Sequence, residues 1–190
     1  MNKRIYWYIK RLLDIILSFI LIIITLPLML ITLILLLCNT GLPIFDIRFP
    51  REGYKKKPFS MLKFKTRIYD TKNIWGRKTK LSTIIDNLKL NELPQLFNIF
   101  IGQMSFVGPR PFICGEILPE GKISEKRYMV KPGVTNLAYV YGGKKVSHKQ
   151  KLEYDEKYYD NFGFKQDFII MIKTPIEMIR QYRSRWFYET

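Results

Sequence analysis

Asn91 and Glu92 stand near the head of the segment LKLNELPQLFNIFIGQM, where the residue pattern predicts a helix from about Glu92 to Ile101. Asn91 is a good N-cap, Pro94 falls in a first turn that has no use for its missing NH, and Gly102 supplies a stop. Such a turn sets both side chains beside unpaired NH groups at the positive end of the helix dipole, where a phosphate or a metal-bound diphosphate can sit. Capping alone also explains the pair. Downstream, in Ser105-Phe106-Val107-Gly108-Pro109-Arg110-Pro111, two prolines bias Arg110 toward an extended backbone. Its guanidinium then rides on a stiff support suited to bidentate phosphate binding. Lys131-Pro132-Gly133 reads as a turn that presents a second cation or simply reverses the chain at the surface. Lys63 and Lys65 alternate with Phe64 and Thr66 as in a half-buried strand, either offering two more cations or forming a solvated edge.

What must position these residues divides at about residue 40, into an N-terminal membrane anchor (1–40) and a second domain (41–190). From Ile15 to Cys38 no residue is charged, a run long enough for a transmembrane helix and too long for the core of a secretory signal. Lys3, Arg4, Lys10 and Arg11 precede it, and Arg48, Arg51, Lys55, Lys56 and Lys57 follow it. A spanning helix should carry its basic excess on one flank only. Pro27 sits mid-run, and each arm of about twelve residues reaches roughly 18 Å, against a hydrocarbon core of about 30 Å. The expectation is a re-entrant helix-break-helix dipping into one leaflet, with a kinked spanning helix as the alternative. Asp14, at the mouth of the anchor, is expected to pair with Lys10 or Arg11. Toward the end, a charged helix over Lys149 to Tyr159 precedes another that Asp167 could cap and Pro175 should bend. Trp186, Phe187 and Tyr188 suit either a membrane interface or a packed core.

The chain has 32 Lys and Arg against 16 Asp and Glu, so its net charge of +16 favours phosphate esters, acidic lipid headgroups or nucleic acid. Cys38 and Cys114 have no zinc-like spacing, and His148 is the only histidine, which excludes a paired-histidine metal site and leaves it as a surface residue. No P-loop, GxGxxG, GxSxG or HExxH pattern occurs.

Lys10-Arg11-Leu12-Leu13-Asp14 before a proline-interrupted apolar segment, then Lys63-Phe64-Lys65-Thr66, Glu92-Leu93-Pro94-Gln95-Leu96, the Ser105–Pro111 motif and Lys131-Pro132-Gly133-Val134-Thr135, in this order, resemble the bacterial sugar transferases, the small monotopic phosphoglycosyl transferases. The resemblance covers nearly the whole chain. It implies a mainly α fold with a small β element: a monotopic membrane protein with an N-terminal re-entrant helix-break-helix and a cytoplasmic helical domain. It implies transfer of a sugar 1-phosphate from a UDP-sugar to polyprenyl (undecaprenyl) phosphate, initiating surface glycan or exopolysaccharide assembly at the cytoplasmic face of the bacterial plasma membrane. In that family an Asp-Glu pair opens the helix: the Asp attacks the β-phosphorus, expelling UMP, and the Glu serves Mg²⁺. Carried over by position, Glu92 is the catalytic and metal residue, Arg110 a phosphate clamp with Lys131, Lys63 and Lys65 as further phosphate-binding candidates, and Asp14 and Pro27 belong to the anchor.

The nucleophile position is Asn91. A neutral amide is a far poorer nucleophile than a carboxylate, although it caps a helix as well as Asp does. Asp86 stands five residues earlier, where the family carries a basic residue. The family's arginine-x-glycine element is kept as Arg51 and Gly53, while Phe49, Arg67 and Leu26 replace its usual glutamine, methionine and serine. The family's Thr-Gly-Trp-Ala-Gln-Val becomes Thr135-Asn136-Leu137-Ala138-Tyr139-Val140. Two functions follow: an active phosphoglycosyl transferase using Glu92 or direct transfer, or a pseudoenzyme of the same family acting as a membrane-bound binding or scaffold subunit. The expected partners are the UDP-sugar, polyprenyl phosphate and anionic membrane lipids, with a second copy or an active paralogue, and no nucleic acid.

Overall fold

The computed structural model describes residues 3–70, 73–116, 124–142 and 146–186. Its dominant element is α1 (Lys3–Thr40), 38 residues or about 57 Å long. Asp14, Ser18, Met29, Thr32 and Leu36 are buried on it at the three- and four-residue spacing that keeps one stripe turned to a neighbour. That stripe touches three apolar clusters in turn. Tyr6 joins Val107, Val130, Tyr158, Phe162 and Ile170; Ile22 packs on Phe59, Met61, Leu96, Ile99 and Met104; Met29 and Leu36 pack with Phe64 and Ile85. The remaining circumference stays apolar and exposed, Ile23, Ile24, Ile31 and Ile34 among it. This is the one helix among the described residues long and apolar enough to cross a membrane.

The expected helix-break-helix is not what forms, because α1 runs unbroken through Pro27. Proline removes one NH, the donor to the Ile23 carbonyl, while the ladder on either side persists and Thr25 Oγ1 donates to the Leu21 carbonyl at 2.7 Å. Asp14 also departs from expectation. It accepts from Ser105 Oγ at 3.0 Å and from the Phe106 NH at 3.2 Å, whereas Lys10 pairs with Asp167 and Arg11 donates to the Ile99 and Phe100 carbonyls, both at 2.7 Å. Those carbonyls close a helix, so Arg11 meets the negative end of its dipole.

That helix is α3 (Gln95–Ile101), ended by Gly102 in the left-handed region at φ 91°. Its start differs from the sequence expectation. Leu90–Glu92 forms a 3-10 turn ahead of it, and Asn91 is buried without capping anything. The Lys63–Thr66 stretch makes no strand, only a single bridge between Phe64 and Phe45. Three two-stranded sheets complete the small β content: β1 (Arg51–Glu52) with β2 (Pro58–Phe59) and β3 (Ile68–Asp70) with β4 (Asn73–Arg77), both antiparallel, and β5 (Ser105–Val107) with β6 (Gly133–Thr135), parallel. Gly108 and Gly133 let the last pair close, since a Cβ on either would strike the other strand's backbone.

The other helices are α2 (Lys80–Asn87), capped by Thr79; α4 (Leu137–Gly142); α5 (His148–Asp160), opened by a Ser147/Gln150 capping box; and α6 (Phe164–Trp186). Asp167 lies inside the first turn of α6 rather than capping it, and there it accepts from Tyr6 and Tyr158 hydroxyls at 2.6 and 2.8 Å. Pro175 does not interrupt α6. Phe164, Phe168, Ile172, Ile176 and Ile179 leave an exposed apolar stripe along it. The tail aromatics Phe187 and Tyr188 lie outside the described residues, as does the side chain of Trp186.

Candidate functional site

Glu92 is the centre of the polar cluster. Its Oε1 lies 3.5 Å from Lys63 Nζ and 3.4 Å from Lys89 Nζ, and its Oε2 accepts from Gln95 Nε2 at 3.2 Å. The turn that carries it bends at Lys89, held in the left-handed region at φ 62°. Burial opposes ionisation of Glu92, but Lys63, Lys89, Arg110 and the Gln95 amide outweigh it and hold the carboxyl below the usual range. Lys63 is pushed the other way. Burial lowers its pKa, Glu92 opposes that, and the charges of Arg110 and Arg51 add to the lowering. Glu92, Lys63, Arg110 and Arg51 therefore share one electrostatic neighbourhood.

The Arg110 backbone is held on both sides. Gly133 NH donates to the Pro109 carbonyl at 3.0 Å, and the Arg110 carbonyl accepts from Arg127 Nη2 at 2.5 Å. Arg127 is itself buried, stacked 3.4 Å over the Phe112 ring and 3.5 Å from Asp155. The Arg110 side chain projects outward and is exposed. Neither Arg110 nor Arg51 has a carboxylate partner within salt-bridge distance among the described residues. Burial lowers the pKa of Arg51 and the charge of Arg110 lowers it further, against the opposing charges of Glu116 and Asp46. Sequence reasoning did not place Arg51 in the site. The retained arginine-x-glycine element was the available signal.

Three cavities meet at these residues. One of about 300 Å³ runs from Leu21 and Thr25 of α1, past Leu96, Phe106 and Met178, to Glu92 and Arg110, so it is apolar toward the anchor and charged at its inner end. A second, of about 520 Å³, shares Arg110, Asn136 and Tyr139 with the first and adds Arg51, Phe112 and Lys151. His148, exposed at the start of α5, also lines it. The third, about 280 Å³, is almost wholly polar and lies on the other side of Glu92, with Lys63, Arg67, Lys78, Asp86 and Asn91 in its wall. Asp86 is paired with Lys78, which offsets the repulsion its charge would exert on a phosphate.

The remaining candidates fall elsewhere. Lys65 is buried and donates to the Leu42 carbonyl at 2.7 Å, which makes it a brace between the end of α1 and the following chain rather than a solvated or phosphate-facing lysine. Lys131 sits over the Trp7 ring at 5.2 Å, beside Lys10, Arg11 and Asp14, and lines none of the three cavities. Burial, together with Arg11 and Lys10 against the opposing charge of Asp14, lowers its pKa to about 8. Pro27 is exposed on α1.

A divalent cation has a restricted donor set here. No group of three or more His, Cys, Asp or Glu gathers among the described residues. Glu92 offers a carboxylate, and the buried Oδ1 of Asn91, next to it in the chain, has no hydrogen-bond partner among the described residues. One or two protein oxygens, completed by substrate phosphates and water, suit Mg²⁺.

Residues 5–181 match the family model described as bacterial sugar transferase. The chain is similar to an uncharacterized sugar transferase, EpsL, of Bacillus subtilis (strain 168), 34% identical over 87% of this chain and 85% of the relative. It is 31% identical to the UDP-galactose-lipid carrier transferase of Erwinia amylovora over 70% of this chain and 32% of the relative. It is likewise 31% identical to the UDP-glucose:undecaprenyl-phosphate glucose-1-phosphate transferase of Xanthomonas campestris pv. campestris, over 73% of this chain and 32% of the relative. The chain thus spans most of the first relative and about a third of the other two.

Proposed function

The chain belongs to the bacterial sugar transferase family, and from that premise we propose that it moves a sugar 1-phosphate from a UDP-sugar to polyprenyl phosphate at a membrane surface, opening the assembly of a surface glycan. The observation that carries this reading is the 300 Å³ cavity, apolar along α1 and ending at Glu92 and Arg110. A polyprenyl chain suits the first end and its phosphate the second. Arg51, Arg110 and Lys63 supply cations for the phosphates. Glu92, kept ionised by Lys63, Lys89 and Arg110, would hold Mg²⁺ together with Asn91 Oδ1. That ion, when bound, neutralises diphosphate charge as the leaving group departs.

The membrane reading is that α1, continuous through Pro27, beds its exposed apolar circumference in one leaflet, with both ends cytoplasmic. It is supported by polar contacts at both ends of α1 with the same folded unit. Lys3 Nζ donates to the Tyr159 and Asp160 carbonyls at 3.2 and 2.9 Å, while Asn39 Oδ1 accepts from Thr79 Oγ1 at 2.6 Å and Thr40 Oγ1 donates to the Lys65 carbonyl at 3.1 Å. A helix that crossed the bilayer would carry its ends to opposite sides, beyond the reach of one domain.

The test is UMP release by purified protein given Mg²⁺, polyprenyl phosphate and a panel of UDP-sugars. Acceptor-dependent release is expected, and no release across the panel overturns the reading. A second reading is favoured by Asn91, whose amide lacks the charge of a carboxylate: a pseudoenzyme that retains the fold and the binding surfaces beside an active relative. Turnover at about 1 s⁻¹ or faster excludes it.

A further inference from the structure

We infer that the third, polar cavity receives the sugar ring of the donor, and that Asp86 accepts a hydrogen bond from a hydroxyl or amide group on that ring. This rests on the transfer reading above and narrows its substrate to neutral sugars.

The sugar of a UDP-sugar hangs from the β-phosphate, so a donor whose phosphates lie at Glu92, Lys63 and Arg110 must set its ring beside Glu92. Two cavities reach Glu92, the 300 Å³ volume that runs along α1 and the 280 Å³ volume on its other side. The first is apolar toward Leu21 and Met178 and suits the polyprenyl chain. The second lies at the lower limit of small-molecule sites, about 300 Å³, with room for one ring rather than a whole nucleotide sugar. Among the described residues Phe64 is the aromatic in its wall. That ring is buried and stacked on Phe45 at 5.7 Å, so it offers no open face to a base.

Lys63, Arg67, Lys78 and Lys89 share this wall with Asp46, Asp86 and Glu92, four cations against three carboxylates, which makes it far closer to neutral than a diphosphate site. Two of the carboxylates are fully engaged. Asp46 Oδ1 accepts from Arg48 at 2.9 Å and its Oδ2 from the Tyr69 hydroxyl at 2.8 Å, while Lys63, Lys89 and Gln95 take both oxygens of Glu92. Asp86 differs. Lys78 holds its Oδ2, and its buried Oδ1 has no hydrogen-bond partner among the described residues. Asn91, 8% exposed, brings a second such oxygen to the same wall. An amide oxygen has two lone pairs, so Asn91 can serve an ion and a ligand hydroxyl together. Two buried acceptors without donors select a ligand that supplies donors, as the hydroxyls of a sugar do.

The position of Asp86 suits it to discriminate. It lies in the last turn of α2, and its carbonyl accepts from the Lys89 NH at 3.2 Å, which ties it to the turn that carries Glu92. With Oδ2 held by Lys78, the direction of Oδ1 is fixed relative to the phosphate end of the site. A carboxylate paired with an ammonium accepts and does not donate, so the ring substituent that meets it must carry a proton. A hydroxyl or an acetamido NH satisfies that condition, whereas the carboxylate of a uronic acid is repelled.

Isothermal titration in detergent micelles, without Mg²⁺ or polyprenyl phosphate so that no transfer runs, tests this. UDP is compared with UDP-glucose, UDP-galactose, their N-acetylamino counterparts and UDP-glucuronate. At least one neutral UDP-sugar should bind about tenfold tighter than UDP or better, and UDP-glucuronate no tighter than UDP. Asp86→Ala should weaken the preferred UDP-sugar about 10- to 150-fold while UDP stays within twofold of the parent. Asp86→Asn keeps the shape and an acceptor oxygen and should lose less; it decides the matter should the alanine variant melt well below the parent. Equal loss of UDP and UDP-sugar, unchanged sugar preference in the folded variant, or tighter UDP binding, as a phosphate site relieved of a carboxylate would show, overturns the inference. Acceptor-dependent UMP release would then still stand for the transfer reading, whereas binding of no UDP-sugar at all overturns both.

Discussion

Replacing Arg51 by methionine separates a residue kept for the fold from one kept for an anion. The β1 backbone pairing of Arg51 with Phe59 is untouched by the change, and methionine follows the path of the aliphatic stem. What is lost is a partly buried guanidinium with no carboxylate in salt-bridge reach among the described residues, close enough to Arg110 and Lys63 for their charges to repel. Relief of like-charge repulsion near a surface is worth about 0.2–1 kcal/mol, so the variant should melt at the same temperature as the parent or up to ~4 °C higher. Binding should move the opposite way. A charge-assisted hydrogen bond to a phosphate contributes about 1.5–3 kcal/mol, and at 1.4 kcal/mol per decade its loss weakens UMP roughly 10- to 150-fold. Isothermal titration with UMP and thermal unfolding on the same preparation read both quantities. Arg51→Lys should recover part of the affinity, since it restores the charge without the bidentate fork. UMP affinity within twofold of the parent, or a loss of thermal stability that accompanies the loss of binding, would refute the assignment.

Gly108→Ala should cost about 1–3 kcal/mol, because the new Cβ meets the Lys131 carbonyl and the Gly133 backbone nitrogen, neither able to swing aside; chemical denaturation measures it. For Lys131 the linkage sign runs against the charged form: its folded pKa of about 8 lies below the unfolded value near 10.5, so the penalty is complete below pH 8 and fades as pH rises from there toward 10.5. Lys131→Met should therefore be more stable than the parent at pH 7, with the gap closing by about pH 10.5 in denaturant titrations; a variant less stable at pH 7 contradicts this. Cysteines placed singly at Lys3 and Thr40, with Cys38 and Cys114 changed to serine, should react with an impermeant maleimide from the same side of sealed vesicles, and labelling from opposite sides would rule out the one-face anchor.

The local geometry of the candidate site was legible in part because its motifs are local. Gly102 ends α3 in the left-handed region as its position after an apolar run foretold, whereas the Arg110 backbone is held by distant partners, Gly133 on the Pro109 carbonyl and Arg127 on its own. Glu92 and Arg110 line one cavity, a placement that rests on two segments with strong backbone constraints. What could not be read is what depends on partners distant in sequence. Lys63 and Lys65 are two residues apart and look equivalent, yet one faces Glu92 and the other the Leu42 carbonyl, because the chain between them forms an isolated bridge with Phe45 instead of a strand. Asp14 was near Lys10 in sequence, but Asp167, 157 positions away from Lys10, takes that lysine and two tyrosine hydroxyls as well. Pro27 misled for a different reason: the rule that proline breaks helices is set by one lost hydrogen bond and a clash, and a long helix packed on three clusters outweighs both.

The Asp14 contact ties α1 to the strand that leads to Arg110 in a way neither segment reveals alone. Asp14 leads directly into the uncharged run, and its carboxylate accepts from Ser105 and from the Phe106 NH, the first two residues of β5. β5 is locked in register to β6, Ser105 with Gly133 and Val107 with Thr135, and the glycine contact at Gly108 leaves the pair no room to slide. Three residues beyond β5 stands Arg110, its neighbouring carbonyl bonded by Gly133. The position of Arg110, the proposed phosphate clamp, relative to α1 is thus set by a short rigid path through one carboxylate and one strand pair. A guanidinium fixed in this way to α1 stands at a constant height relative to that helix. The proposed transfer needs such a fixed height, because one substrate phosphate would be tethered to a lipid chain alongside α1 while the other arrives from water.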